Sequence, residues 1–189
     1  MKSSSKSSKK SYKHNSKKSK YNSNSSNKPK ITLEKVSKEE MDSIISKIES
    51  TYNTTFKLYP KIMFINSKNK LYFSTIPQIP EHITRLNSIG LYIGTKLDTG
   101  EIRLSIEGTQ LLNHATQNYV ILKDSSLSSY VSGENLFFDE IQEQSEIQNA
   151  PFQIVYTTLK EAVGVISKKE KYYLNYLSKG RKMDFNRVF

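Results

Sequence analysis

Cysteine is absent from the 189 residues, histidine occurs three times, and the first 30 positions contain no Asp or Glu. Without cysteine there is no disulfide, no thiolate nucleophile and no cysteine-based zinc site. Long apolar runs are missing too: nothing approaches the ~20 consecutive apolar residues of a membrane-spanning helix. The basic N-terminus has no apolar stretch behind it, so it does not read as a secretory signal. It also lacks the Arg and the apolar face of a mitochondrial presequence and any lipidation signal at Lys2. The expectation is a soluble, cytoplasmic protein without a membrane partner.

What is present is charge, unevenly placed. The formal +11 resides almost wholly in Met1–Lys30, which carries ten Lys, eleven Ser and four Asn, while residues 31–189 hold 19 basic and 18 acidic side chains. With Met1 as its only aliphatic side chain, the tail has too little apolar surface to offset the entropy of ordering. It is expected to be disordered over 1–30. A polycationic extension on a near-neutral body meets polyanions, either as a nonspecific electrostatic anchor on RNA or as a solubilising appendage.

Order is expected after Pro29 and Lys30. Ser37 followed by Glu40 forms a capping box, Val36 and Met41 are spaced as a hydrophobic staple, and Met41, Ile44, Ile45, Ile48 and Tyr52 share one helical face. Two β-rich runs, Lys61–Ile65 and Lys70–Ser74, flank a polar turn at Asn66–Asn69. Pro77 and Pro80 then interrupt the pattern. Further strands are expected at Ile89–Lys96, Glu101–Ile106, Tyr119–Leu122, Phe152–Thr157, Ala162–Ser167 and Glu170–Leu177. One or two helical turns fit Gly108–Asn113. A short helix at Ser125–Val131 ends at Gly133, placed to be the left-handed residue beyond its last turn. The acidic stretch Glu134–Ala150 carries no strong period and reads as a loop or lid.

Gly90-Leu-Tyr-Ile-Gly94, Arg103-Leu-Ser-Ile-Glu-Gly-Thr-Gln-Leu111, Asn118-Tyr-Val-Ile-Leu122 and Gly133-Glu-Asn-Leu136, in that order, resemble the start of a PUA domain. That RNA-binding module is shared by pseudouridine synthases and archaeosine transglycosylases. Phe152-Gln-Ile-Val-Tyr156, Ala162-Val-Gly-Val-Ile166 and Leu177-Ser-Lys-Gly-Arg-Lys182 resemble its closing strands. The helix and hairpin ahead of it resemble the pre-PUA domain of archaeal RNA-binding proteins and ribosome-biogenesis factors, some related to Nop2/Sun-type RNA cytosine methyltransferases. The resemblance implies an α+β chain with a pre-PUA domain over 31–80 and a PUA β-pseudobarrel over 81–189.

The resemblance also makes the Gly133 loop a backbone contact for RNA; the plainer reading is a helix C-cap. From the residues themselves, the best binding surface is the C-terminal run, where residues 156–189 hold eight basic side chains against three acids. Alternation in a strand would put Tyr172, Leu174 and Tyr176 on the core face and Lys171, Tyr173 and Asn175 outside, setting a cation beside an exposed aromatic. Candidate RNA-binding residues are thus Gly133, Lys171, Tyr173, Lys179, Arg181 and Lys182.

No catalytic constellation is evident. His82 and His114 fit no metal spacing, the nucleophile elbow and phosphate loop are missing, and cytosine-C5 methyl transfer would need the absent Cys. No cofactor and no metal are expected, and the acidic cluster at 139–146 reads as solvated loop. The expected function is non-catalytic binding of rRNA or tRNA in translation, RNA modification or ribosome biogenesis. An adaptor docked on an RNA-modifying enzyme or ribosomal particle is the alternative, followed by a stand-alone RNA-modifying enzyme.

Overall fold

Ser37 opens the first helix, as its position predicts. In the computed structural model, which describes residues 32–79, 83 and 86–183, the Ser37 hydroxyl accepts from the Glu40 backbone N–H at 3.1 Å and α1 runs Lys38–Tyr52. The reciprocal half of the capping box is replaced, because the Glu40 carboxylate pairs instead with Lys96 Nζ at 2.9 Å. Met41, Ile44, Ile45, Ile48 and Tyr52 are all buried, and Val36 and Met41 lie in the same core cluster. The expected tail of residues 1–30, His82 and Arg187 lie outside the described residues.

Five antiparallel strands follow one another across the first sheet: β1 (Leu33–Lys35), β2 (Ile62–Asn66), β3 (Lys70–Ser74), β4 (Leu91–Lys96) and β5 (Ile102–Leu104). The β2–β3 turn is held by Asn66 Oδ1, which accepts from the N–H groups of Lys68 and Lys70 at 3.0 and 3.1 Å. The expected domain division at residue 80 falls between β3 and β4. These are hydrogen-bonded neighbours, so residues on its two sides share a sheet and a core.

The second sheet contains β6 (Tyr119–Leu122), β7 (Ile141–Gln144), β8 (Gln153–Tyr156), β9 (Ala162–Lys168) and β10 (Tyr173–Asn175), in the order β10-β9-β8-β6-β7, with β6 and β8 parallel. Of two short helices, α2 (Ile106–Gln110) leads from β5 of the first sheet to β6, and α3 (Leu127–Ser132) leads from β6 to β7. α2 lies so close to β4 that a Cβ on Gly108 would sit 2.0 Å from the Ile93 carbonyl oxygen, which leaves room only for glycine.

The acidic stretch is not a lid. Leu136 exchanges two backbone hydrogen bonds with Tyr173, at 2.7 and 3.1 Å, and a few residues later Ile141–Gln144 pairs with β6 as β7. The segment therefore spans from one end of the second sheet to the other and curls it closed. The physical reason is that both sheet ends carry N–H and C=O groups needing partners, while Leu136 and Ile141 supply apolar anchors that pack into the core.

Side chains of the second sheet face two cores. Ile121, Ile154, Tyr156 and Val165 join α1 and the first sheet in the larger one. Val120, Leu122, Val155 and Ile166 turn the other way, into a smaller core with Tyr130, Leu136 and Tyr173. In β9 the partners step from Ala162↔Tyr156 to Gly164↔Val155, so Val163 is an extra residue. That bulge explains why Val163 and Ile166, an odd number of positions apart, pack on the same side.

Candidate functional site

The C-terminal run leaves β10 through Asn175. Its Nδ2 donates to the carbonyls of Tyr130 and Glu134 at 2.8 and 2.9 Å, and its Oδ1 accepts from the Leu177 N–H at 2.7 Å. The chain is thereby led over the end of α3. Further on, Met183 N–H donates to the Val131 carbonyl at 2.9 Å, and Lys182 Nζ donates to the Gly133 carbonyl at 3.2 Å. These are carbonyls at the end of a helix, which no following turn satisfies.

Gly133 ends α3 in the left-handed conformation, φ 84°, as its position predicts. Its open face is already taken, since a Cβ there would lie 2.2 Å from Lys182 Cε. The structure thus brings two of the expected site residues together, but with Lys182 covering Gly133. A ligand reaches the glycine backbone only by displacing that lysine.

Arg181 is also engaged. Its guanidinium forms an ion pair with Glu107 of α2, fastening the C-terminal run to the start of that helix. Beneath lies a cavity of about 330 Å³ lined by Tyr92, Arg103, Glu107, Tyr130, Tyr176 and Arg181. The Arg103 guanidinium sits 5.0 Å from the centre of the Tyr176 ring, a cation on an aromatic face.

Tyr173 corrects the expected arrangement. It is 1% exposed, its hydroxyl donates to Gln144, and its ring meets Phe138 edge-on at 5.3 Å. At Tyr173 and Asn175 the face assigned as outward is covered by α3 and the 134–140 segment. Their folding over β10 turns that face into the smaller core. The expected strand over Glu170–Leu177 is correspondingly short, Tyr173–Asn175, and Lys171 stands in the exposed β9–β10 turn.

A cation beside an exposed aromatic does occur, on residues the alternation did not single out. Lys168 Nζ lies 5.6 Å from the Phe138 ring centre, and Phe137 and Phe138 are both exposed. The signal in the sequence was two adjacent aromatics in a polar stretch just after a helix-ending glycine.

Lys168, Lys169 and Lys171 at one end of β10, with Lys179 and Lys182 beyond its other end, are exposed and enter no ion pair among the described residues. His114 is structural: its ring stacks on Tyr156 at 4.4 Å and its Nδ1 contacts the Ala115 carbonyl oxygen at 2.8 Å.

No protein-family model matches the sequence, and no curated protein matches it. Among solved structures the chain is similar to a conserved PUA domain protein from Thermoplasma acidophilum, with 14% identity and a TM-score of 0.57 over 79% of this chain and 95% of that one. At this identity the likeness is one of fold: two curled sheets with short helices, arranged as in a PUA domain.

Proposed function

We propose that the protein is a non-catalytic RNA-binding protein that grips a single-stranded or loop segment of rRNA or tRNA along the two ends of β10. It acts in the cytoplasm, in translation, RNA modification or ribosome biogenesis. Residues 31–80 are a pre-PUA module, 81–189 the PUA module, and the ten-lysine tail an additional electrostatic anchor. PUA domains generally bind RNA, and the fold supports the reading at that level. The observation that carries it here is the set of five exposed lysines that enter no ion pair among the described residues, Lys168, Lys169, Lys171, Lys179 and Lys182, in a body with almost no net charge.

Phosphate contacts position RNA and release counterions, which fixes the test. Replacing those five lysines by Gln in the full chain should flatten the dependence of log K on log salt by about 3.5, at roughly 0.7 per contact on single strands. The same measurement with a duplex DNA of equal length separates RNA preference from plain polyanion binding. An unchanged slope and affinity on RNA would remove this surface from the interface.

A further inference from the structure

Four large apolar side chains stand exposed around one groove on the first sheet: Leu58 at 74%, Tyr59 at 54%, Ile76 at 48% and Leu91 at 40%. Its floor is Ile62, Phe73 and Leu111, and its volume is about 630 Å³. Scattered exposed apolar residues need no explanation, but a contiguous set around a groove marks an interaction surface. Its aliphatic wall of Leu58, Ile76 and Leu91 offers a phosphate neither charge nor donors, so RNA binding does not account for the apolar part of the groove.

A second hollow adjoins the first, sharing Tyr59, Pro60, Lys61 and Ile62 with it and extending toward α1. Between them stands Tyr59, whose hydroxyl donates to Asp42 Oδ1 at 2.6 Å and fixes the ring in place. Among the described residues, those lining the two hollows include Lys35, Lys38 and Lys61 and no Asp or Glu, and the neighbouring Asp42 carboxylate is held by the Tyr59 hydroxyl. The occupant therefore combines apolar anchors with carboxylates.

The backbone decides its shape. At the floor of the groove β3 is paired on both sides, Phe73 with Met63 of β2 and with Leu91 of β4, so no strand can be added there. Recognition must run through side chains, as when an amphipathic helix lays its i, i+3, i+4 and i+7 residues into a groove.

We propose that this groove docks an acidic amphipathic helix of a partner protein, with apolar anchors over Leu58, Ile76 and Leu91 and carboxylates facing Lys35, Lys38 and Lys61. Such a partner leaves the β10 surface open, so protein and RNA can be held at once.

The test uses the intact 189-residue protein and a fluorescent helical peptide with Leu or Phe at i, i+3, i+4 and i+7 and Glu elsewhere. Saturable micromolar binding is expected, weakened about tenfold or more when the Glu are replaced by Gln and absent for a Lys-substituted analogue. Leu58→Glu and Ile76→Glu, both at exposed positions and so compatible with folding, should each abolish peptide binding and leave RNA affinity and its salt slope unchanged. The RNA reading would thus survive the failure of this one, and the reverse. Absence of peptide binding, equal binding by the Leu58→Glu protein, or equal binding of the Lys analogue overturns the proposal. Concentration-dependent dimerisation that Leu58→Glu removes also overturns it, because the occupant would then be a second copy.

Discussion

Tyr173 separates two accounts of the same strand, since alternation made it an exposed recognition residue and the fold makes it a core residue. Truncation to Ala removes a ring that is 1% exposed and packed among Tyr130, Leu136 and Ile166. Phe-to-Ala truncations of this kind cost about 3 to 5 kcal/mol in transfer and cavity terms together. The hydroxyl adds little, because its acceptor Gln144 is exposed and water can replace it; Tyr173→Phe should therefore cost no more than about 1 kcal/mol. With a urea slope of about 2 kcal/mol/M, Tyr173→Ala should move the unfolding midpoint down by roughly 1.5 to 2.5 M. RNA affinity, measured at low temperature and scaled to the folded fraction, should stay at the wild-type value. The reasoning is refuted if Tyr173→Ala keeps its midpoint and loses RNA affinity, which is the outcome an exposed stacking residue would give.

Glu107→Gln removes the partner of Arg181 and should strengthen RNA binding while steepening the salt slope by about 0.7; weaker binding would mean that the ion pair positions the C-terminal run for RNA. Deleting residues 1–30 should flatten the slope by about 3 to 4 if half of the ten tail lysines engage phosphates, and should leave any preference among RNAs intact, because such lysines read no base edges. Burial pushes the hydroxyls of Tyr52 and Tyr130 well above their ordinary value, and Tyr156 upward as well. The native state then holds protons that the unfolded chain releases above pH ~10, so stability is complete below that pH and falls above it by about 1.4 kcal/mol per pH unit for each of Tyr52 and Tyr130. Tyrosinate absorbance of these groups should accordingly appear together with loss of circular dichroism, and their free titration near pH ~10 in folded protein would contradict the burial.

Local signals were legible where the physics is local. The Ser37 cap, the single face of α1 and the left-handed Gly133 each depend on a few consecutive residues, and each occurs as the spacing implies. The capping box was half right for the same reason in reverse: Glu40 had a choice between the backbone three residues back and Lys96, a lysine 56 positions away, and took the lysine. Arg181 and Glu107 meet across 74 positions, and Lys182 reaches Gly133 across 49. No periodicity encodes such contacts, so basic composition located the C-terminal surface without saying which of its cations are already spoken for.

Face assignment failed where cover comes from elsewhere in the chain. A period of two separates Tyr173 from Leu174, but it names the faces only after something is known of what lies over each. Here Leu136 pairs with Tyr173 and carries α3 and the 134–140 segment over β10, so the nominally outer face became core and the exposed aromatics beside cations turned out to be Phe137 and Phe138. The docking groove was hidden by the mirror image of this effect. Leu58, Ile76 and Leu91 are ordinary core formers in the sequence, separated by up to 33 positions, and only the order of β2, β3 and β4 leaves them uncovered around one hollow. Composition can therefore place charge, but the aromatic and apolar halves of an interface depend on which surfaces the topology covers.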